Sequence, residues 1–586
     1  MIDDRESVDR LNAVGLLTRR DSAVTPDRRR FLAACSSLGI GSTLLPGVLW
    51  AQIQPGTTSV TVETVRESAK LAGLTWTDDE CRDLSESLSS LLAAVDRIDK
   101  RTLTNASPLP MHFDPRPPGV LSPMPTGPFR LAPPPRVTRP RQLEDVAFWP
   151  VTHLSALVRS RRVTAVELTR MYLERLRRHN GVLNCVVTLT EPRALAEAAA
   201  ADAEIAAGRY RGVLHGIPYG VKDIIAVRGY PTTWGAPPLA GQTFDEDATV
   251  VRRLHDAGAV LVAKLTTGEL AFGDQWAGGR TNNPWNPEEG SSGSSAGSAA
   301  ATAAGLVGFA IGSDTGGSIL SPAVRCGVAG LRPTFGRVSR HGVMAAGTTL
   351  DKIGPLCRHV ADCAAVLHAI AGPDNFDLAV PDVPVEWDGA SARFPRRVGY
   401  VPALFDAETD AGRRANNART LDMLQRLGCS LHEVQLPDGD LSYFIEYVER
   451  AAAFDSMTTS GALTGIRPRT TRFLRACQLT TAVDYLQANR RRLAIMQEVA
   501  RVMQQVDVVC FTSLTLSSTT SLNPVMSLTG HPSIAVPSGF NATGTPTGVM
   551  FSGRLYHEGD LVAFAAAFEG VTGSRGAVPP RFAPAR

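Results

Sequence analysis

A run of small residues, Gly290-Ser291-Ser292-Gly293-Ser294-Ser295-Ala296-Gly297-Ser298, leads straight into Ala299 to Ala304 and then the apolar stretch Leu306 to Ile311. Flexible linkers share this composition, but they do not usually run directly into a packed element. Small side chains let backbones approach closely, so the segment predicts a buried loop and helix. The apolar stretch Val307 to Ile311 then reads as a strand, and a second small-residue loop, Gly312-Ser313-Asp314-Thr315-Gly316-Gly317-Ser318, follows it. The chain has the material for such an interior. It runs to 586 residues, 44% hydrophobic and 20% charged, which fits an ordinary soluble globular protein and argues against a mostly disordered or polytopic membrane chain. Its 60 basic and 57 acidic residues leave a net charge of +3, too balanced a total to present a broad field to nucleic acid.

Around this centre the pattern alternates. Residues 164–178 predict a helix with Thr164 as N-cap. Val186, Val187 and Leu189 predict a strand, and residues 192–207 an alanine-rich helix. Val250 to His255 reads as a helix and Ala259 to Ala263 as a short buried strand. Residues 373–396 read as an acidic, proline-containing connector and 411–505 as mainly helical. Val508 to Phe511 returns as a strand. Alternation of this kind predicts an α/β fold.

The N-terminal part predicts something else. Arg28, Arg29 and Arg30 precede Phe31-Leu32 and an uncharged stretch reaching about Ala51. A basic region, an apolar region and small residues make an export signal, and paired arginines before Phe-Leu resemble the twin-arginine type. Residues 1–51 are therefore expected to be a removable signal, with the mature protein periplasmic or extracellular and not stably inserted in a membrane. Residues 52–143 predict a helical segment, with Leu84, Leu88, Leu91 and Leu92 at helix spacing, and then a proline-rich arm. Residues 144–575 are expected to form one catalytic body, and 576–586 a flexible tail. The nine cysteines are scattered without C-x-x-C spacing and read as small buried hydrophobes.

The chemistry gathers between 216 and 320. Gly293-Ser294-Ser295-Ala296-Gly297 matches the G-x-S-x-G elbow of α/β-hydrolases, but Asn283-Pro284-Trp285-Asn286-Pro287-Glu288-Glu289 before it cannot be the strand that elbow needs. Two glycines before Ser318 let backbone N–H groups turn toward one point, as in an oxyanion hole; a tight turn would use the same residues. Lys222 ends the largely apolar run Gly216-Ile217-Pro218-Tyr219-Gly220-Val221-Lys222-Asp223. A buried lysine loses the solvation of its charge and becomes a competent base near neutral pH; pairing with Asp223 is the structural alternative.

Taken together, the G-I-P-x-x-V-K-D, G-S-S-x-G-S and G-S-D-T-G-G-S-I segments resemble the amidase signature family of serine hydrolases. Further matches extend over about 144–575, including Asp247 to Leu254, Gly327 to Thr334, Asp351 to Pro355 and Leu528 to Pro537. The resemblance implies a single large α/β fold, a mixed twisted β-sheet covered by helices on both faces. It implies a Ser–cis-Ser–Lys set with Ser318 as nucleophile, Ser294 as the cis-serine and Lys222 as base. Backbone N–H groups of Thr315, Gly316, Gly317 and Ser318 would form the oxyanion hole, with Ser295, Ser298 and Asp314 in support. Neither a metal nor an organic cofactor is implied. The family often has arginine two residues after the nucleophile, where this chain has Leu320.

The implied function is hydrolysis of a linear amide through an acyl-enzyme, releasing a carboxylic acid and ammonia or an amine. An esterase on the same scaffold is the nearest alternative. A glutamine-hydrolysing amidotransferase subunit, which needs cytoplasmic tRNA and a partner, sits poorly with an export signal. The expected partner is a small-molecule amide or ester, with no nucleic acid; a homodimer is left open. Tyr219, Trp276, Trp285 and Met344 lie near the motif segments as candidates for the substrate pocket, each also readable as packing.

Overall fold

The computed structural model describes residues 60–71, 74–84, 105, 107, 111–120, 123–391, 393–406, 408, 411–512 and 523–584. The expected export signal and the segment holding Leu88, Leu91 and Leu92 lie outside the described residues. The chain divides into two compact units, Met1–Ser107 with Phe444–Arg491, and Pro108–Tyr443 with Arg492–Arg586. Residues 444–491, expected inside the catalytic body, thus cluster with the N-terminal part. The described residues among them supply helices, such as Pro468–Cys477, and no strand. In the first unit Val60, Val65 and Cys81 form a small core, with Val62 and Leu84 packed against it.

The second unit is α/β, a large mixed sheet covered by helices on both faces. Its strands are β1 (Val186–Leu189), β2 (Pro218–Lys222), β3 (Val260–Leu265), β4 (Phe309–Asp314), β5 (Ala329–Arg332), β6 (Lys352–Cys357), β7 (Arg397–Tyr400), β8 (Ser430–Glu433), β9 (Val508–Thr512), β10 (Ser533–Phe540) and β11 (Pro546–Gly553). Among the described residues they form an 11-stranded sheet in the order β8-β7-β9-β11-β10-β5-β6-β4-β2-β3-β1. The pairs β2–β3 and β2–β4 are parallel, whereas β4–β6, β5–β6 and β5–β10 are antiparallel. Strands β2, β3, β4 and β6 are buried along their whole length. They read as near-continuous apolar runs because both faces are covered.

Local chemistry explains the elements beside the site. Thr164 caps the helix Ala165–Leu183 through a reciprocal capping box with Glu167. The helix Ala296–Ala303 is buried at all eight positions. Its small side chains permit this. A Cβ on Gly297 would come within 2.4 Å of the Thr266 nitrogen and 2.5 Å of the Cys185 oxygen, so no larger residue fits without moving backbone. Tyr219 on β2 stacks on Phe309 of β4 at 5.3 Å between ring centroids, tying together the strands that end at Lys222 and Asp314.

Residues 411–505 are mainly helical, as expected, and also hold one strand, β8, at the sheet edge; its four residues are mostly polar and exposed, so helical periodicity on either side hides it. The tail expected to be loose buries Phe582 completely, and its carbonyl accepts from buried Arg175 at 2.7 Å. The proline-rich arm runs extended over the second unit: Phe113 meets Phe335 edge-on at 5.2 Å, and Phe129–Arg130 pairs with Trp387–Asp388. The eight described cysteines are all free and buried.

Candidate active site

The three expected catalytic residues lie in the second unit, at the ends of β2 and β4 and in the loop before the buried helix. Lys222 is the last residue of β2 and is fully buried. Its Nζ donates to Ser294 Oγ at 2.7 Å and to Ser313 Oγ at 2.8 Å. The Gly293–Ser294 peptide bond is cis. Ser318 is half-buried at the start of the helix Leu320–Cys326 and, among the described residues, its hydroxyl makes no hydrogen bond. The two small-residue loops are tied directly, since Ser295 N donates to the Ser318 carbonyl at 3.0 Å.

The supporting serines hold β4 in place. Ser295 Oγ donates to the Ser313 carbonyl at 3.0 Å and accepts from Ser313 N at 3.2 Å. Ser298 Oγ donates to the Ile311 carbonyl at 3.0 Å. The helix Ala296–Ala303 and the strand carrying Ser313 are thereby locked in register. Asp223 does not pair with Lys222, the structural alternative allowed by sequence. It takes Lys264 of β3 at 2.9 Å, both side chains being fully buried.

Asp314 organises the turn that follows β4. Its Oδ1 accepts from Gly317 N at 2.7 Å, and its Oδ2 accepts from Ile319 N at 2.7 Å and Leu320 N at 3.3 Å. Gly317 has φ +127°, a conformation that favours glycine. The Gly317 N–H, expected to face the oxyanion, is therefore committed to Asp314, because the turn folds it back onto the carboxylate. Burial pushes the Asp314 carboxyl up, but Arg332, Lys352 and the two closest amides outweigh it and hold it below its ordinary value. Leu320, standing where the family often has arginine, is fully buried.

A second layer was not foreseen from sequence. Arg332 Nη1 lies 3.2 Å from Asp314 and donates to Asn523 Oδ1 at 2.6 Å. Asn523 Nδ2 donates to the Gly316 carbonyl at 2.7 Å, and Ser527 Oγ donates to the Thr315 carbonyl. Lys352 Nζ in turn donates to Ser527 Oγ at 2.9 Å. Burial and the neighbouring Arg332 charge hold the Lys352 ammonium well below its ordinary value. Thr315 Oγ1 donates to Asp351 Oδ1 at 2.6 Å. Two successive carbonyls of the turn thus point into polar partners on the helix Asn523–Leu528. The one sequence signal was the polar spacing of Asn523 and Ser527, four apart in an otherwise apolar segment.

The pocket candidates divide. Tyr219 is core, stacked within the sheet. Trp285 donates its indole N–H to the Cys326 carbonyl at 2.8 Å and packs against Phe540 at 4.9 Å. Met344 is buried, and Trp276 stands on a two-stranded ribbon with Arg280. Among the described residues no group of three or more His, Cys, Asp or Glu side chains is placed to hold a metal ion.

A family model described as Amidase matches residues 167–562. The chain belongs to the amidase family. It is 35% identical over 467 residues to the putative amidase AmiD of Mycobacterium tuberculosis (strain ATCC 25618 / H37Rv), covering 75% of this chain and 98% of that protein. It is 34% identical over 466 residues to a glutamyl-tRNA(Gln) amidotransferase subunit of Thermosynechococcus vestitus, covering 71% and 96%. Among solved structures, the native peptide amidase of Stenotrophomonas maltophilia superposes with a TM-score of 0.66 at 31% identity, covering 75% of this chain and 99% of that one. The amidase motifs named from sequence all fall within residues 167–562, the stretch that the family model matches.

Proposed function

We propose that this amidase cleaves the C–N bond of a linear amide through a serine acyl-enzyme, with Ser318 as nucleophile, Ser294 as relay and Lys222 as base. The observation that carries this reading is the 2.7 Å contact from Lys222 Nζ to Ser294 Oγ, in a buried loop whose neighbour presents the half-buried Ser318. Neutral Lys222 accepts the Ser294 proton while Ser294 accepts that of Ser318, and Ser318 Oγ adds to the amide carbonyl. The amides of Thr315, Gly316 and Ser318 receive the oxyanion, and Asp314 keeps Gly317 turned away to shape them. Collapse expels the leaving amine, which takes the relayed proton. Water then attacks the acyl-enzyme by the same path and releases the acid.

The same acyl-enzyme serves an ester. The paired arginines at 28–30 support export of the folded enzyme, so the working compartment we propose is periplasmic or extracellular. A reactive fluorophosphonate should label Ser318, and a panel of aryl, aliphatic and peptide amides beside the matching esters should rank amides as turned over. Labelling at another serine, or turnover confined to esters, would overturn the reading. Ser318→Ala should lower kcat by on the order of 10⁴-fold or more with an unchanged melting temperature.

A further inference from the structure

The first compact unit carries a surface that amide hydrolysis does not use. Leu479, Val483 and Leu486 are 36%, 65% and 54% exposed. They fall within eight residues, in the turn after the helix Pro468–Cys477 and on the first turns of the helix Ala482–Gln505. Val483 and Leu486, three apart, share one side of that helix, and Arg490 follows four residues later on the same side. Arg472, Arg475 and Arg490 are exposed. Between Arg472 and Arg490 the single acidic residue is Asp484, whose carboxylate accepts from Thr481 Oγ1 at 2.7 Å, so the exposed charge there is predominantly positive.

The combination selects an occupant. A second copy of the same patch would bring like charges, Arg472, Arg475 and Arg490 of each copy, together. Nucleic acid would satisfy the guanidinium groups but leave the aliphatic side chains in water. An anionic phospholipid surface takes both: leucine and valine side chains enter the acyl boundary, and arginines reach the phosphates with their stems along the apolar edge. Among the described residues no helix is long and apolar enough to cross a membrane, so the mode is one of lying on the surface. We infer that residues 467–491 form a peripheral docking surface for anionic phospholipid membranes.

The test is co-sedimentation of the full chain with phosphatidylcholine vesicles, with and without phosphatidylglycerol. Binding should require phosphatidylglycerol and weaken with salt. The pair Arg472→Ala/Arg475→Ala should weaken it roughly 25-fold, at roughly fivefold for each arginine. Val483→Ser/Leu486→Ser should weaken it separately, while hydrolysis of a soluble amide by both variants stays at the wild-type rate and reports an intact fold. The inference is overturned by an absence of binding to phosphatidylglycerol vesicles, by equal binding to phosphatidylcholine alone, or by binding that both variants retain. A concentration-dependent dimer abolished by the same variants would assign the surface to a second copy instead.

Discussion

Two adjacent parallel strands, β2 and β3, each place a lysine in the fully buried interior, and the two lysines do different work. Val221 pairs with Lys264 and Lys222 with Leu265 across the ladder. Successive side chains on a strand face opposite ways, so Lys222 and Lys264 leave the sheet on opposite faces. Asp223, next to Lys222 in sequence, falls on the Lys264 side and pairs there. Burial pulls the Lys264 ammonium below its ordinary value while Asp223 pushes it back toward the charged form. Thr232 Oγ1 at 2.6 Å completes that site. Lys222 instead donates to two serine hydroxyls, which can give up and take back protons. A neighbouring carboxylate favours the charged form of Lys264, whereas the two hydroxyls beside Lys222 suit the base role proposed for it.

The sharpest break between them is expected on substitution by methionine. Lys222→Met should lower kcat roughly 10²–10⁴-fold, the range of a positioned general base, and move the melting temperature little. Lys264→Met should do the reverse. It leaves Asp223 buried without its cation, at about 3–5 kcal/mol of stability. Adding Asp223→Asn should restore much of that loss, because a neutral amide needs no counter-charge. Kinetics and thermal melts of the three variants decide it; equal losses of rate from both lysines would collapse the distinction.

A second carboxylate–cation pair, Asp314 with Arg332, extends the comparison to pH. The folded Asp314 carboxyl sits below its ordinary value, so below about pH 4 the unfolded chain binds the extra proton first. Its contribution is therefore complete above about pH 4 and is lost as pH falls through the folded value. The melting-temperature gap between wild type and Asp314→Asn should be widest near neutral pH and close below about pH 4. A gap that stays constant in acid would mean that the charge of Asp314 does not support the turn.

Asn523→Ala tests whether the turn needs its outer layer. The substitution frees the Gly316 carbonyl and removes one acceptor of buried Arg332. An unpaired buried group of this kind costs about 1–3 kcal/mol. If part of that cost falls on the transition state alone, kcat should drop roughly tenfold with KM nearly unchanged. A rise in KM at constant kcat would place Asn523 with substrate binding instead.

Much of this was legible in the sequence, and for a local reason. The Gly293–Gly297 loop, the Asp314–Ser318 turn and the Lys222 strand end are each contiguous, so composition and spacing expose them. Thr164 and the helix it caps were readable for the same reason. What sequence could not show depends on chain far away. Asn523 and Ser527 reach the turn from about 200 residues downstream, and nothing local marks them as its partners. The family resemblance implies a Gly317 amide facing the oxyanion, whereas its direction is set by the Asp314 carboxylate three residues back. The strand Ser430–Glu433 stayed hidden because a short polar edge strand carries no apolar alternation.

Ser313 is the case between these extremes and gives the smallest expected effect. It lies near the end of β4, five residues before Ser318, yet the motif drew attention to its neighbours. In the fold its hydroxyl is the second acceptor of Lys222, while its backbone is gripped on both sides by Ser295 Oγ. Ser313→Ala removes the hydroxyl and leaves those backbone bonds and the Ser294 contact in place. The loss is then one hydrogen bond to the proposed base, worth about 1 kcal/mol, so kcat should fall roughly five- to tenfold with no change in fold. Ser294→Ala, which breaks the proposed relay itself, should cost far more. If the two serines prove equal in steady-state kinetics, proton transfer does not run through Ser294 alone, and the hydroxyl pair around Lys222 acts as a unit.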